Sequence, residues 1–140
     1  MPPIQQDSAR HRVLVVDDNR QVREALSIII SAMPDFEVCG EAATPAEALS
    51  LVGDLAPEIA IVDISLKGES GIELIGKLKA KCDQLRVLVW SLHSEQTYEE
   101  AALQAGAMGF ITKEKAIAHI SDALGEISRG RIYSSKGLSG

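Results

Sequence analysis

The stretch Ile59-Ala60-Ile61-Val62-Asp63 decides the fold of this chain. Its four apolar residues are typical of a short buried strand, since three of them are β-branched. A continuous apolar run, without alternating polar residues, indicates a strand that is covered on both faces, as in a parallel sheet. Asp63 then places a carboxylate at the carboxyl end of this strand, which is where open α/β sheets bind ligands.

Four other segments also have the length and composition of strands, and a helical pattern separates each strand from the next. The predicted strands are residues 13–16, 36–42, 59–63, 87–90 and 109–112. Between and after them, apolar residues recur at spacings of three and four, as on one face of a helix. The predicted helices lie within residues 20–33, 45–55, 71–82, 97–105 and 117–127.

Local signals support two of these helix starts. Thr44-Pro45-Ala46-Glu47 and Ser70-Gly71-Ile72-Glu73 are capping boxes, in which a hydroxyl and a later Glu side chain bond the first free amides. In the first helix, Arg20, Arg23 and Glu24 are predicted to face solvent, opposite the apolar stripe.

The alternation of strands and helices predicts an α/β fold with a doubly wound, five-stranded parallel sheet and five helices on its two faces. The first, third and fourth strands are the most apolar and belong in the middle, whereas the alternating second and the short fifth belong at the edges. This is the flavodoxin-like order 2-1-3-4-5. Residues 12–129 form the predicted domain, residues 1–11 a flexible leader, and residues 130–140 a tail or the start of a linker.

Composition narrows the class of protein. The chain has 140 residues, 46% of them hydrophobic, which suits one domain with a single core. A formal net charge of −6 disfavours direct binding to nucleic acid or to anionic membranes. Cys39 and Cys82 form no CxxC pair, which favours buried free thiols in a reducing compartment. Without a signal-peptide core or an apolar run near ~20 residues, we expect a soluble cytoplasmic protein with no membrane partner.

Polar side chains follow four of the predicted strands where each strand ends. Asp17 and Asp18 follow the first strand, Asp63 ends the third, Ser91 follows the fourth and Lys113 follows the fifth. Because the carboxyl ends of parallel strands share one edge of the sheet, all five side chains meet there. Three clustered carboxylates repel one another, and a hard divalent cation relieves this repulsion. Oxygen-only ligands with room for water suit Mg²⁺.

The chemistry that this set supports is phosphoryl transfer. The Asp63 carboxylate is suited to attack a phosphoryl group and form an aspartyl phosphate, a step that needs positioning and charge neutralisation more than proton transfer. The Lys113 ammonium and the Ser91 hydroxyl are suited to bind phosphoryl oxygens. Each residue alone is more often a helix cap, a turn hydroxyl or a surface charge. The specific observation is that all of them fall at strand ends.

These stretches resemble the receiver domains of two-component response regulators over residues 12–129. The residues that carry the resemblance are Val13-Leu14-Val15-Val16-Asp17-Asp18-Asn19, Ile61-Val62-Asp63-Ile64-Ser65, Ser91 and Gly106-Ala107-Met108-Gly109-Phe110-Ile111-Thr112-Lys113. The resemblance implies that a partner histidine kinase phosphorylates Asp63. It also implies that Mg²⁺ is bound directly by Asp18, largely through water by Asp17, and by the backbone carbonyl of Ser65. Ser91 and Phe110 would be the switch pair, and Lys113 the counter-charge to the phosphate.

The resemblance implies a phosphorylated signalling domain rather than an enzyme. Lys113-Glu114 and the tail Gly130-Arg131-Ile132-Tyr133 are similar to regulators of the NarL/FixJ/LuxR type, in which a helix-turn-helix DNA-binding domain follows the receiver. We therefore expect control of transcription through an output domain absent from these residues, and contact with DNA only through that domain. The fourth helix, with a thin stripe of mostly Ala, is expected to switch together with the fifth strand and fifth helix. The face formed by the fourth helix, the fifth strand and the fifth helix is a candidate homodimer contact.

Departures from the family pattern are few. Leu66-Lys67 stands where the family often has Met-Pro, so a looser loop after Asp63 is expected. Ser91 replaces the commoner Thr and keeps the hydroxyl.

Two other functions compete with this one. A flavodoxin-like cofactor-binding domain would need a Gly/Ser/Thr-rich phosphate loop after the first strand, but Asp17-Asp18-Asn19 stands there and would repel a phosphate. A receiver-like interaction module that is never phosphorylated would not need the complete set of site residues.

Overall fold

The computed structural model describes residues 10–63, 71–91 and 96–134, and within them the side chains of all but residues 96–98, 113–117 and 134. Strands and helices alternate along the chain as predicted. The strands are β1 (His11–Val16), β2 (Phe36–Ala42), β3 (Ile59–Asp63), β4 (Arg86–Ser91), β5 (Gly109–Thr112) and β6 (Tyr133–Ser134). The helices are α1 (Arg20–Ser31), α2 (Pro45–Leu55), α3 (Gly71–Lys81), α4 (Gln96–Gln104) and α5 (Lys113–Ser128).

The strands form one parallel sheet in the order β2-β1-β3-β4-β5-β6. The predicted order 2-1-3-4-5 and the five helices are therefore confirmed, and the sheet gains a short sixth strand beside β5. The new strand lies within the residues assigned to a tail or linker, since Tyr133 pairs with Gly109 and Ser134 with Phe110. Two residues are too few to show a strand pattern in sequence.

The sheet separates two apolar clusters, and the side chains of β1, β3, β4 and β5 alternate between them, as strand geometry requires. In β4, Val87 and Val89 lie in one cluster, and Leu88 and Trp90 lie in the other. The first cluster contains buried residues of α2, α3 and α4, and we call this side of the sheet the α3 face. The second contains buried residues of α1 and α5, and we call it the α5 face. Both faces of the central strands are thus covered, as their continuous apolar sequences predicted.

The α2 capping box forms, but the Glu47 carboxylate bonds the amide of Ala43 rather than that of Thr44. The Thr44 hydroxyl accepts a hydrogen bond from the Glu47 amide at 3.1 Å, and the Glu47 carboxylate accepts one from the Ala43 amide at 2.8 Å. The predicted cap at Ser70 lies outside the described residues. Of the helices in the described part of the chain, none combines the length and hydropathy that a bilayer span requires.

Three residues, His11, Cys39 and Cys82, differ in part from expectation. His11, assigned to the leader, begins β1, because its amide donates to the Asp35 carbonyl at 2.8 Å and its Nδ1 lies 2.7 Å from Glu58 Oε2. Cys39 and Cys82 carry free thiols, as expected, but both are half-buried rather than buried. Burial raises the pKa of the Cys39 thiol, which keeps this side chain in its neutral form.

Candidate functional site

Three carboxylates converge at the carboxyl ends of β1 and β3. These strands are neighbours in the sheet, with Val16 opposite Val62, so the next residue of each strand brings Asp17 beside Asp63. Asp17 is fully buried and Asp63 is 2% exposed, whereas Asp18 is exposed. One carboxylate oxygen from each of the three residues lies within 4.8 Å of the others. The sequence predicted this convergence from strand ends alone.

Backbone contacts hold Asp17 in place. Its amide donates to the Ala42 carbonyl at 3.0 Å, which extends the β1–β2 pairing by one residue. Its Oδ1 accepts a hydrogen bond from the Asn19 amide at 2.8 Å, and Asn19 in turn caps α1 by accepting from the Val22 amide at 3.1 Å. The turn between β1 and α1 therefore fixes the orientation of this carboxylate before any ion binds.

Arg23 supports the same turn, and its predicted outward orientation was wrong. Its side chain is only 15% exposed. Nη1 donates to the Asp17 carbonyl at 2.7 Å, and Nε donates to the Glu41 carboxylate at 3.2 Å. Helical spacing predicts the direction in which a side chain leaves the helix, but a long Arg side chain can fold back along the surface and cover backbone.

The three carboxylates fit a magnesium ion. Mg²⁺ binds hard oxygen ligands at about 2.0–2.1 Å in octahedral geometry, which puts adjacent ligand oxygens about 3 Å apart and opposite ones about 4 Å apart. Oxygens within 4.8 Å of one another reach that spacing with small side-chain rotations. The exposure of Asp18 leaves one side open to water, which Mg²⁺ usually retains as ligands. Ser65, whose carbonyl was the remaining predicted ligand, lies outside the described residues.

The other predicted site residues lie on neighbouring strands at the same edge. Ser91 ends β4 and is fully buried, opposite Thr112 of β5. Lys113 is the first residue of α5 and follows Thr112 directly, but its side chain lies outside the described residues. Trp90 pairs with Asp63 across β3 and β4 and is 5% exposed. The position of this indole beside Asp63 suits it as a fluorescence reporter of the site.

Phe110 is fully buried in the cluster on the α3 face, together with Ala102 of α4. The resemblance assigned this ring, with Ser91, to the switch pair, and that role stays a prediction.

Sequence reasoning overlooked Thr112. This residue is 4% exposed and occupies the N-cap position of α5, yet its side chain makes no capping hydrogen bond. Within the described residues, its hydroxyl oxygen is buried without a hydrogen-bond partner. A Thr immediately before a helix normally caps that helix, so nothing in the sequence indicated that this hydroxyl would make no capping hydrogen bond.

Comparison with known proteins agrees with this geometry. The sequence profile of the response regulator receiver domain matches residues 13–125. The transcriptional regulatory protein LiaR of Bacillus subtilis is 30% identical over 119 residues, which cover 85% of this chain and 56% of LiaR. The DNA-binding transcriptional activator DevR/DosR of Mycobacterium tuberculosis is 32% identical over 120 residues, which cover 86% of this chain and 55% of that protein. The chain thus spans little more than half the length of these relatives.

Solved structures show the same fold. A two-component response regulator of the LuxR family from Aurantimonas sp. SI85-9A1 superposes with a TM-score of 0.88 and 31% identity, covering 93% of each chain. The response regulator domain of Thermotoga maritima CheB superposes with a TM-score of 0.76 and 31% identity, covering 88% of this chain and 96% of that one.

Proposed function

This chain belongs to the response regulator receiver domain family, and on that premise we propose that Asp63 accepts a phosphoryl group from a partner histidine kinase. The observation that carries the proposal is the cluster of Asp17, Asp18 and Asp63, whose carboxylate oxygens lie within 4.8 Å of one another at the carboxyl edge of the sheet. Asp63 is the member that ends the central strand β3, and it is 2% exposed.

In the proposed reaction, a carboxylate oxygen of Asp63 forms a bond to phosphorus while the phosphorus–nitrogen bond of a phosphohistidine breaks, and the histidine leaves. Asp17, Asp18 and Asp63 would hold Mg²⁺, whose charge would offset the negative charge of the phosphoryl oxygens. The backbone contacts of Asp17 orient that residue beforehand, so little reorganisation is needed. The Lys113 ammonium and the Ser91 hydroxyl bind the remaining phosphoryl oxygens.

The proposed output is a change in the α4–β5–α5 face. A phosphoryl group adds about −1.5 to −2 charges beside Ser91 and Lys113, and this acts at a distance only by biasing an element with two arrangements. Helix α4 suits that role, because Ala102 is its only apolar side chain that is buried among those described. We expect the altered face to bind a second copy of the chain.

We further propose that the chain acts in the cytoplasm as a signalling domain rather than an enzyme, and controls transcription through a helix-turn-helix output domain outside these residues. LiaR and DevR/DosR are named as transcriptional regulators and are longer than this chain. The net charge of −6 argues against direct binding of this domain to DNA. Membership of the receiver family also disfavours the flavodoxin-like cofactor binder, whereas an unphosphorylated interaction module remains a competing function.

Phosphorylation in solution tests the proposal. The protein is incubated with Mg²⁺ and acetyl phosphate or phosphoramidate, and its intact mass is measured. One phosphoryl adduct is expected in the wild type and none in Asp63→Asn. The control Asp54→Asn removes an exposed carboxylate from α2 and should leave the adduct in place. An adduct that survives in Asp63→Asn would place the acceptor elsewhere, and no adduct from any donor would favour the interaction module.

A further inference from the structure

Thr112 and Ser91 form a pair of buried hydroxyl residues beside the site. They lie directly opposite each other in the parallel β4–β5 pairing. Trp90 and Ile111, which precede them, both lie in the cluster on the α5 face. Because side chains alternate along a strand, Ser91 and Thr112 both project from the other side of the sheet. Neither is open to solvent, with exposures of 0% and 4%.

The hydroxyl of Thr112 is left without a partner in this arrangement. Within the described part of the chain, its oxygen makes no hydrogen bond and is shielded from solvent. It does not cap α5, although it stands at the N-cap position. A buried hydroxyl without a partner is unfavourable, and such a group in a native structure calls for an explanation, of which a role at a functional site is one.

We propose that Thr112 is a positioning residue for Ser91, a proposal that rests on the phosphorylation of Asp63. When a phosphoryl group is bound, the Ser91 hydroxyl donates to a phosphoryl oxygen, and the Thr112 hydroxyl donates to the oxygen of Ser91. The chain of hydrogen bonds then runs from Thr112 through Ser91 to the phosphoryl group. The donor of Thr112 gains a partner only in the phosphorylated state, so this contact favours that state over the resting one.

The test uses beryllofluoride, a phosphate mimic, titrated in the presence of Mg²⁺ and followed by the fluorescence of Trp90, the only tryptophan in the chain. Thr112→Val keeps the shape of the side chain and removes the hydroxyl. Its affinity for beryllofluoride should be about fivefold lower, the factor expected for one hydrogen bond. Its melting temperature without ligand should be unchanged or higher, since the unpartnered group is gone. Equal affinities in wild type and variant would overturn the proposal.

A double-mutant cycle separates the proposed contact from a general packing effect. In a Ser91→Ala background, Thr112→Val should cause no further loss of affinity, because the residue through which Thr112 acts is absent. The same fivefold loss in that background would refute positioning through Ser91. If Thr112→Val does not fold, Thr112→Ser and Thr112→Ala replace it, since they differ only in the hydroxyl, and equal affinities for those two would also refute it.

The measurements distinguish failure of the proposed role of Thr112 from failure of the proposed phosphorylation of Asp63. If wild type neither binds beryllofluoride nor forms a phosphoryl adduct at Asp63, the proposed function fails, and the positioning role fails with it. If wild type does both and Thr112→Val binds as tightly, only the role of Thr112 fails. The lifetime of the phosphoryl adduct, measured by intact mass, gives a second readout and should be shortened in Thr112→Val.

Discussion

Substituting Asp63 by Asn should stabilise the fold when Mg²⁺ is absent. The Asp63 carboxylate faces those of Asp17 and Asp18, with one oxygen of each within 4.8 Å of the others. At that distance, the repulsion of one pair is about 1 kcal/mol at the dielectric constant of water and about 3.5 kcal/mol at an effective value of 20. Asn keeps the shape of the side chain and removes both repulsions that involve Asp63.

We expect a net gain in the free energy of unfolding of about 1–3 kcal/mol. This is less than the two repulsion energies added together, because solvent screens the exposed Asp18 and because Asn loses some of the hydrogen-bonding capacity of the carboxylate. Urea unfolding in a chelating buffer measures it. The exposed control Asp54→Asn should change stability by less than about 0.5 kcal/mol. Added Mg²⁺ should stabilise the wild type by mass action and the Asp63→Asn variant much less. A variant that is less stable than wild type without Mg²⁺ would refute the electrostatic reasoning.

Three further predictions concern other parts of the domain. Arg86→Met should lower the free energy of unfolding by about 1–2 kcal/mol, measured in urea. Nη1 of Arg86 donates to the last carbonyls of α5, at 3.2 Å to Ile127 and 2.8 Å to Ser128, and Met cannot replace these bonds. A change below about 0.5 kcal/mol would mean that water replaces them. Phe110→Ala should cost about 3–5 kcal/mol, since the ring is fully buried, and a much smaller loss would show that the ring is not a fixed part of the core. Burial, and secondarily the Asp122 carboxylate, raises the pKa of the Tyr133 phenol. The stability that this shift supports is complete below the phenol's ordinary pKa and is lost as the pH rises through the raised pKa of the folded state. Urea unfolding between about pH 9 and pH 11 should show a loss of stability in wild type that is smaller in Tyr133→Phe.

The features that sequence predicted correctly depend on patterns repeated over several residues. The continuous apolar run that ends at Asp63 required a strand buried on both faces, and the structure buries all five of its residues. The position of each strand end then brought Asp17 and Asp63 to one edge, because parallel strands share their direction. Topology alone was sufficient for this part of the site, since it does not depend on side-chain conformation.

The features that sequence missed depend on single side chains or on very short pairings. Arg23 occupies the predicted helix, but its flexible side chain folds toward the Asp17 carbonyl, which no periodicity encodes. Thr112 stands where a cap is expected, and only the structure shows that its hydroxyl does not cap. Strand β6 contains only Tyr133 and Ser134, so the pairing comes from contact with β5 rather than from a pattern of its own.

Strand β6 has a consequence for self-association. The Tyr133 amide donates to the Met108 carbonyl at 2.8 Å, and Tyr133 pairs with Gly109, where an added Cβ would lie 3.2 Å from the Tyr133 carbonyl oxygen. The chain therefore supplies its own neighbour along part of β5. A strand from a second molecule would compete with one tethered by a short connection, whose effective concentration is on the order of millimolar. A dimer through the α4–β5–α5 face is then better served by side chains of the two helices than by backbone pairing at that edge.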